Sequence, residues 1–266
     1  MEAGVVGMSL EQERWLGAAI RAAEAGGRVL REWRGKFSVR EKSRSNLVTE
    51  ADEASQEAIV SVLRKEFPGH GFLGEENLEE GIAGSDFVWV IDPLDGTTNY
   101  VHGFPYYAVS IALRVRGELE VGVIYDPNRG ETFSACRGGG VKLNGERVQS
   151  SGETRLGAAF GIGSLPVVTG PGDPAVERFL RALQVFQTVQ RSGSAALNMA
   201  YVSCGRIDAF WSSSLKPWDM AAGALMVVES GGALSNLEGG RFDIFVPSVA
   251  CAGSGELLGD LVKVLG

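Results

Sequence analysis

The chain reads as α+β in its first half and α/β in its second, with an antiparallel meander sheet giving way to a mixed or parallel one. Three observations predict this. Short apolar runs separated by turn signals fill residues 107–148. Strand-like and helix-like patterns alternate from 158 to 264. The chain of 266 residues, 44% apolar and 22% charged, is long enough to bury a sizeable core.

The elements follow in order. A frayed lead of about eight residues is expected first. Ser9-Leu10-Glu11-Gln12 has the form of a capping box, and Leu16, Ala19, Ile20, Ala23, Gly27, Leu30 and Trp33 recur at helical spacing, so one amphipathic helix runs over residues 10–34. Thr49-Glu50-Ala51-Asp52 starts a second helix; Ala58, Ile59, Val62 and Leu63 form its apolar stripe, and Pro68-Gly69 stops it. Phe87 to Ile91 is a buried strand leading into Asp92-Pro93. Tyr107–Val115 and Leu119–Tyr125 flank Arg116-Gly117-Glu118 as a hairpin. Thr132–Ala135 continues the meander, and Asn144-Gly145 joins Val141–Leu143 to Arg147-Val148.

After a seam at Ser150–Thr154 the style changes. Strands are expected at Ala158–Phe160, Val185–Val189, Ile207–Trp211 and Ser248–Cys251. Helices are expected at Asp173–Leu183, Ala195–Val202, Trp218–Glu229 and Glu256–Val264. No internal repeat or low-complexity linker interrupts the order, so residues 1–266 are expected to form a single catalytic unit, with an α+β half over 1–150 and an α/β half over 151–266.

Charge narrows the function. Lys and Arg total 25 and Asp and Glu 33, a net charge of −8, so nucleic acid is not expected as the main ligand. An acidic chain that handles phosphates must reverse its local sign, and carboxylates loaded with cations would do so. Cys136, Cys204 and Cys251 are odd in number, far apart and outside any CxxC, which suits reduced, buried thiols in a reducing cytoplasm. No apolar run approaches the roughly 20 residues of a membrane span, and Met1 to Arg14 lacks the pattern of a signal peptide.

The chemistry concentrates in Trp89-Val90-Ile91-Asp92-Pro93-Leu94-Asp95-Gly96-Thr97-Thr98-Asn99. Two carboxylates three residues apart cannot share a side of a straight strand. Across a proline-led turn they can converge, and the Leu94 carbonyl between them can point the same way. Three hard oxygen donors in four residues suit Mg²⁺. Gly96-Thr97-Thr98 can open a helix whose amides seat an anion. Taken singly, Asp92 and Asp95 also read as an ordinary strand cap and turn. Gly74-Glu75-Glu76 and Pro217-Trp218-Asp219 supply further acids, although Glu75-Glu76 alone is a solvated pair and Asp219 alone a helix N-terminal charge. A covalent-aspartate mechanism needs acids at i and i+2 followed by Thr, and position 94 in this string is Leu; no G-x-x-x-x-G-K-[ST] loop occurs either. His70 and His102, the two histidines, leave little room for phosphohistidine chemistry, and His102 reads as structural.

Four of these elements, in this order, resemble the inositol monophosphatase family of metal-dependent, lithium-sensitive sugar phosphatases. Asp92-Pro93-Leu94-Asp95-Gly96-Thr97-Thr98-Asn99 resembles its first signature and Trp218-Asp219-Met220-Ala221-Ala222-Gly223 its second. Gly74-Glu75-Glu76 matches the glutamate element and Arg191-Ser192-Gly193-Ser194-Ala195-Ala196 the substrate loop. The likeness runs from Leu47-Val48-Thr49 to Gly231-Gly232. It implies a layered αβαβα sandwich, a homodimer, and hydrolysis of a small phosphate ester by direct water attack with Mg²⁺, two or three ions, with Mn²⁺ as a substitute.

The resemblance also implies roles. Glu75, Asp92 and the Leu94 carbonyl would hold one ion, and Asp92, Asp95 and Asp219 a second; a third would lie near Glu75. Thr97 and Asp52 would orient and help deprotonate the attacking water, although Asp52 also suits the capping box of its helix. The Gly96 and Thr97 amides would bind phosphate, and Gly193, Ser194 and Ala195 would line the alcohol side together with Asp95, Asp219 and Ser212. Members that prefer inositol phosphate often carry glutamate seven residues before the second-signature aspartate. Here that residue is Ser212, so the pocket is expected to select inositol less strictly. Fructose 1,6-bisphosphate, histidinol phosphate and nucleotide 3′-phosphates stand as alternative substrates. Lys216 can reach a second anionic group, or simply a helix cap or a neighbouring acid.

Overall fold

The computed structural model describes residues 8–43 and 46–266, the side chains of 41–43 and 46–48 excepted. The lead expected before the first helix falls on residues 1–7, outside the described residues. The first half contains α1 (Leu10–Trp33), β1 (Val39–Ser43), β2 (Asn46–Thr49), α2 (Glu50–Glu66), β3 (Gly71–Gly74), β4 (Leu78–Glu80), β5 (Phe87–Asp95) and α3 (Thr97–Val101). The meander follows as β6 (Ala108–Val115), β7 (Glu118–Asp126), β8 (Glu131–Cys136), β9 (Gly140–Leu143) and β10 (Glu146–Val148). The second half contains β11 (Phe160–Gly163), α4 (Pro174–Leu183), β12 (Thr188–Gln190), α5 (Ala195–Ser203), β13 (Ala209–Ser212), α6 (Pro217–Glu229), β14 (Ala233–Ser235), β15 (Val249–Ala252) and α7 (Gly255–Leu265).

The architecture is an αβαβα sandwich, and side-chain alternation explains its layers. On one face of the eight-stranded sheet, Trp89, Ile111 and Val123 pack under Ala22 and Leu30 of α1 and Ile59 and Leu63 of α2. Their strand neighbours Val90, Ala112 and Ile124 point the other way, onto Leu197 of α5 and Ala221 and Leu225 of α6. The far side of that helical layer, through Met199, Met220 and Val227, meets Phe210 and Cys251 of the five-stranded sheet. The opposite face of this second sheet, with Trp211 and Ala250, packs on Leu257 and Leu261 of α7 and Ala182 of α4. The middle helices need small residues to fit between two sheets. A Cβ on Gly122 of β7 would lie 2.9 Å from the Ala222 carbonyl oxygen.

Several details differ from the sequence reading. β3 joins the large sheet parallel to β5, so the meander is flanked by a parallel pair; its four residues begin and end in glycine and carry no strand periodicity. The β1–β2 hairpin, β4 and β14 are also additional, each of three to five residues. The strand expected from 158 starts at Phe160, because Leu156–Ala158 winds into a 3-10 turn. The strand expected from 185 starts at Thr188, after Phe186 has turned into the core. In the second sheet β12, β11 and β13 are parallel, whereas β15 runs antiparallel to both β13 and β14. All three cysteines are free thiols, Cys136 and Cys251 buried. No helix among the described residues is long and apolar enough to cross a membrane.

Candidate metal centre

The two signature aspartates converge through a bulge rather than a turn. In β5, Asp92 pairs with Ser110 and Asp95 with Ala108, so Pro93 and Leu94 together oppose the single residue Val109. The extra residue shifts the alternation by one place, which returns residues three apart to the same side. Proline suits the position because a bulged residue need not donate to the ladder. The strand therefore continues to Asp95, four residues past the expected end at Ile91.

The third acid arrives from the far end of the chain. Ser110, the strand partner of Asp92, donates from its Oγ to the Trp218 carbonyl at 3.2 Å and ties the start of α6 to the sheet. Asp219 lies in the first turn of that helix and accepts from the Lys216 N–H at 2.7 Å. One carboxylate oxygen from each of Asp92, Asp95 and Asp219 then lies within 4.8 Å of the others.

These acids are expensive to keep charged. Asp92 is 1% exposed. Its Oδ1 accepts from the Leu94 N–H at 3.0 Å, while Oδ2 is buried with no hydrogen-bond partner. Burial first, then the charges of Glu75, Asp95 and Asp219, push its pKa well above the carboxylate range. Asp95 accepts from Ser194 Oγ and, at 2.7 Å, from the Ala196 N–H, yet burial and Asp219 still push it up to about 7. Burial pushes Asp219 up to about 6 against the Lys216 N–H. The donors to this trio are amides and one hydroxyl, not lysine or arginine side chains. Hard oxygens in mutual repulsion, one of them buried without a donor, form a donor set that fits a divalent cation such as Mg²⁺.

A stability signature follows. Raised carboxylate pKa values mean that the folded, metal-free chain holds protons the unfolded chain releases, so this contribution is present below about pH 4 and lost as pH climbs through about 6 to 7. A cation that binds only the folded form replaces those protons. Millimolar Mg²⁺ is therefore expected to raise Tm more at pH 7.5 than at pH 5.5, as read by differential scanning calorimetry. An equal or larger rise at pH 5.5 would contradict the assignment of this trio.

The remaining expected residues surround the trio. Gly74 pairs in parallel with Ile91, so Glu75 emerges beside Asp92 and exerts the largest neighbouring charge on it. Gln56 of α2 holds this loop by bonds to the Glu76 carbonyl at 3.0 Å and the Glu76 N–H at 3.3 Å. Thr97 Oγ1 lies 3.2 Å from the Leu94 carbonyl and 3.3 Å from Asp52 Oδ1. Both readings of Asp52 hold, one per oxygen: Oδ2 accepts from Thr49 N and Oγ1 as a helix cap, while Oδ1 faces Thr97. Gly96 has φ +99°, and a Cβ there would lie 3.1 Å from the Tyr106 carbonyl oxygen and 3.3 Å from that of Gly193. It opens α3, whose first N–H groups precede the first intrahelical acceptor.

A cleft of about 380 Å³ runs past Asp95, Gly96, Thr97 and Asp219 on one side and past Arg191, Gly193, Ala195, Val167 and Leu215 on the other. Two expected substrate contacts do not line it. Ser194 is 1% exposed, N-caps α5 and spends its hydroxyl on Asp95, so it holds an acid and leaves the alcohol side to its neighbours. Ser212 is buried in β13, and Ser214 and Leu215 form the wall instead. Lys216 is exposed; its backbone N–H bonds Asp219 at the N-cap of α6, and its charge favours that carboxylate. His102 is exposed and closes α3. Sequence reasoning missed Ser110 and Gln56, and named Arg191 only as the start of the substrate loop, without a role. Only Gln56 had a visible signal, standing four residues after Asp52 on the same helix face.

A family model described as the inositol monophosphatase family matches residues 11–265. Nus factor SuhB of Pseudomonas aeruginosa is 44% identical over 237 residues, covering 84% of this chain and 86% of that protein. The crystal structure of extragenic suppressor protein suhB from Bartonella henselae superposes with a TM-score of 0.90 at 37% identity, covering 95% of this chain and 98% of that one. The inositol monophosphatase from Anabaena (Nostoc) sp. PCC 7120 superposes with a TM-score of 0.84 at 32% identity, covering 96% of each chain.

Proposed function

The chain belongs to the inositol monophosphatase family, and from that premise we propose that it is a Mg²⁺-dependent phosphomonoesterase acting on inositol 1-phosphate or a similar small sugar or polyol phosphate. The observation that carries this reading is the trio of Asp92, Asp95 and Asp219, the first two buried, with a donorless oxygen on Asp92, beside a cleft that Asp95 and Asp219 line. Glu75, Asp92 and the Leu94 carbonyl would hold one ion, Asp92, Asp95 and Asp219 another, and a third would lie near Glu75. Bound there, such ions would neutralise the ester dianion, acidify water and stabilise the leaving alkoxide.

The chain's own groups supply the rest. Thr97 Oγ1 orients the attacking water and passes its proton toward Asp52 Oδ1, which stands 3.3 Å away. The N–H groups of Gly96 and Thr97 seat the phosphate at the opening of α3. Gly193 and Ala195 face the alcohol. Uncatalysed hydrolysis of phosphate monoesters is among the slowest reactions known, so a site that cancels the ester's charge has the most to gain. The reading carries with it a homodimer and sensitivity to lithium, as the family resemblance implies, and a cytoplasmic location, as the three unpaired cysteines suggest.

The alcohol side supports a permissive pocket. Ser212 replaces the glutamate of inositol-preferring members and is buried in β13, and the wall beyond is Val167, Leu215 and the exposed Arg191. Phosphate release with Mg²⁺ from inositol 1-phosphate, fructose 1,6-bisphosphate, histidinol phosphate and nucleotide 3′-phosphates tests the assignment. Inositol 1-phosphate is expected within about tenfold of the best ester. If it falls a hundredfold below another in kcat/KM, about 2.7 kcal/mol, the inositol assignment fails. A second reading, a role as a Nus factor, is favoured by the 44% identity to Nus factor SuhB. Failure to hydrolyse any ester would leave that reading in possession.

A further inference from the structure

Two asparagines hold the same two residues by opposite chemistry. Asn99, at the end of the first signature, donates both hydrogens of Nδ2 to backbone carbonyls: Tyr106 O at 2.7 Å and Ser192 O at 2.9 Å. Asn198, in the first turn of α5, accepts two hydroxyl donors on Oδ1: Tyr106 O–H at 2.8 Å and Ser192 O–H at 2.6 Å. Asn198 is 2% exposed and Tyr106 9%. Between the two amides runs the loop that faces the cleft with Gly193 and Ala195 and holds Asp95 with Ser194 and the Ala196 N–H. Gly193 lies flat against Asn99: at φ +91°, a Cβ there would come within 2.9 Å of the amide.

We propose that Asn99 and Asn198 are positioning residues that clamp the 191–196 loop, through Tyr106 and Ser192, at the height over Asp95 that the ester requires. This rests on the phosphatase reading of the site. Asn99 borders the cleft and Asn198 lies behind it, and the side-chain bonds of both run to Ser192 and Tyr106. The two amides are not interchangeable. Asn99 faces two carbonyls, which only accept, so its nitrogen must point at them. Asn198 faces two hydroxyls, and its oxygen takes both. A loop that carries both an alcohol contact and a hold on Asp95 transmits any slack to both, and a misplacement of about 1 Å costs on the order of 10²-fold in rate.

The same substitution at the two positions separates this role from general packing. Asn99→Asp sets an acceptor against two carbonyls, whereas Asn198→Asp keeps both acceptor bonds. Asn99→Asp is expected to raise KM for the best ester by about 30-fold, with a smaller fall in kcat, and to speed hydrogen exchange of amides 192–196 by about tenfold. Asn198→Asp is expected to stay within about threefold of the parent on both counts, and Asn198→Leu to behave like Asn99→Asp. If the two Asn→Asp variants behave alike, or exchange in the loop is unmoved by Asn99→Asp, the clamp is overturned. Should Asn99→Asp not fold, the nearly isosteric Tyr106→Phe decides: about threefold faster loop exchange supports the clamp, and unchanged exchange overturns it. A parent protein inert to every ester would defeat the phosphatase reading alone, since the exchange readout needs no turnover.

Discussion

Asp92→Asn is expected to lower kcat/KM for the best ester by on the order of 10³-fold or more, several kcal/mol of transition-state stabilisation. The substitution is nearly isosteric, and the Leu94 N–H that now bonds Oδ1 keeps its acceptor. What it removes is the one charge that both proposed cation positions would share. The metal-free protein should gain stability, because Asp92 is the acid most strongly disfavoured by burial and by Glu75, Asp95 and Asp219. The variant is thus expected to melt at or above the parent's temperature without Mg²⁺ and to lose most of the Mg²⁺-induced rise in Tm. A variant that loses activity and also melts well below the parent would mean that Asp92 holds the fold rather than an ion. Glutamates 75 and 76 provide the control. Glu75→Gln should cost far more activity than Glu76→Gln, because Glu75 stands beside Asp92 while residue 76 is held by Gln56 through its backbone. Equal costs would place the metal glutamate wrongly.

What the sequence made legible was local. The capping box at Ser9 and the Asn144-Gly145 turn are each written within a few residues and stand where the spacing put them, and the D-P-L-D-G-T-T string does mark the end of β5. The way the acids meet is not local. The bulge in β5 is defined only by its register against β6, since two residues are extra only relative to the one they oppose. The approach of Asp219 depends on Ser110, more than a hundred residues away, and on the bare backbone of Gly122 beneath Ala222. Ser194 read as a substrate contact because its loop matched a substrate loop; its rotamer, which turns the hydroxyl onto Asp95, is a product of packing. Ser212 read as a pocket residue by its distance from Asp219, but strand alternation puts it inside the sheet layer.

Asp52 offers the sharper test of division of labour, because its two oxygens do different work. Oδ2 receives the Thr49 N–H at 2.9 Å and the Thr49 hydroxyl at 2.6 Å, closing the cap of α2. Oδ1 faces the Thr97 hydroxyl and in the proposed reaction would draw a proton from water through it. Asp52→Asn can keep its oxygen on the cap and must then present an N–H₂ to Thr97. The hydroxyl can answer that donor only as an acceptor, so it no longer has a route for passing a proton on. A fall in kcat of about 10²- to 10³-fold is expected, with KM little changed and stability reduced by no more than about 1 kcal/mol. Asp52→Ala removes both oxygens and should add the loss of the cap, about 0.5–2 kcal/mol, to the same fall in kcat. The acidic limb of the pH–rate profile separates the alternatives. If Asp52 takes the proton, Asp52→Asn flattens that limb, and Thr97→Val, which cuts the relay one atom earlier, lowers kcat by a similar factor. If instead Asp52→Asn retains kcat within about threefold while α2 frays, the residue is a cap and nothing more, and the base must be sought at Glu75.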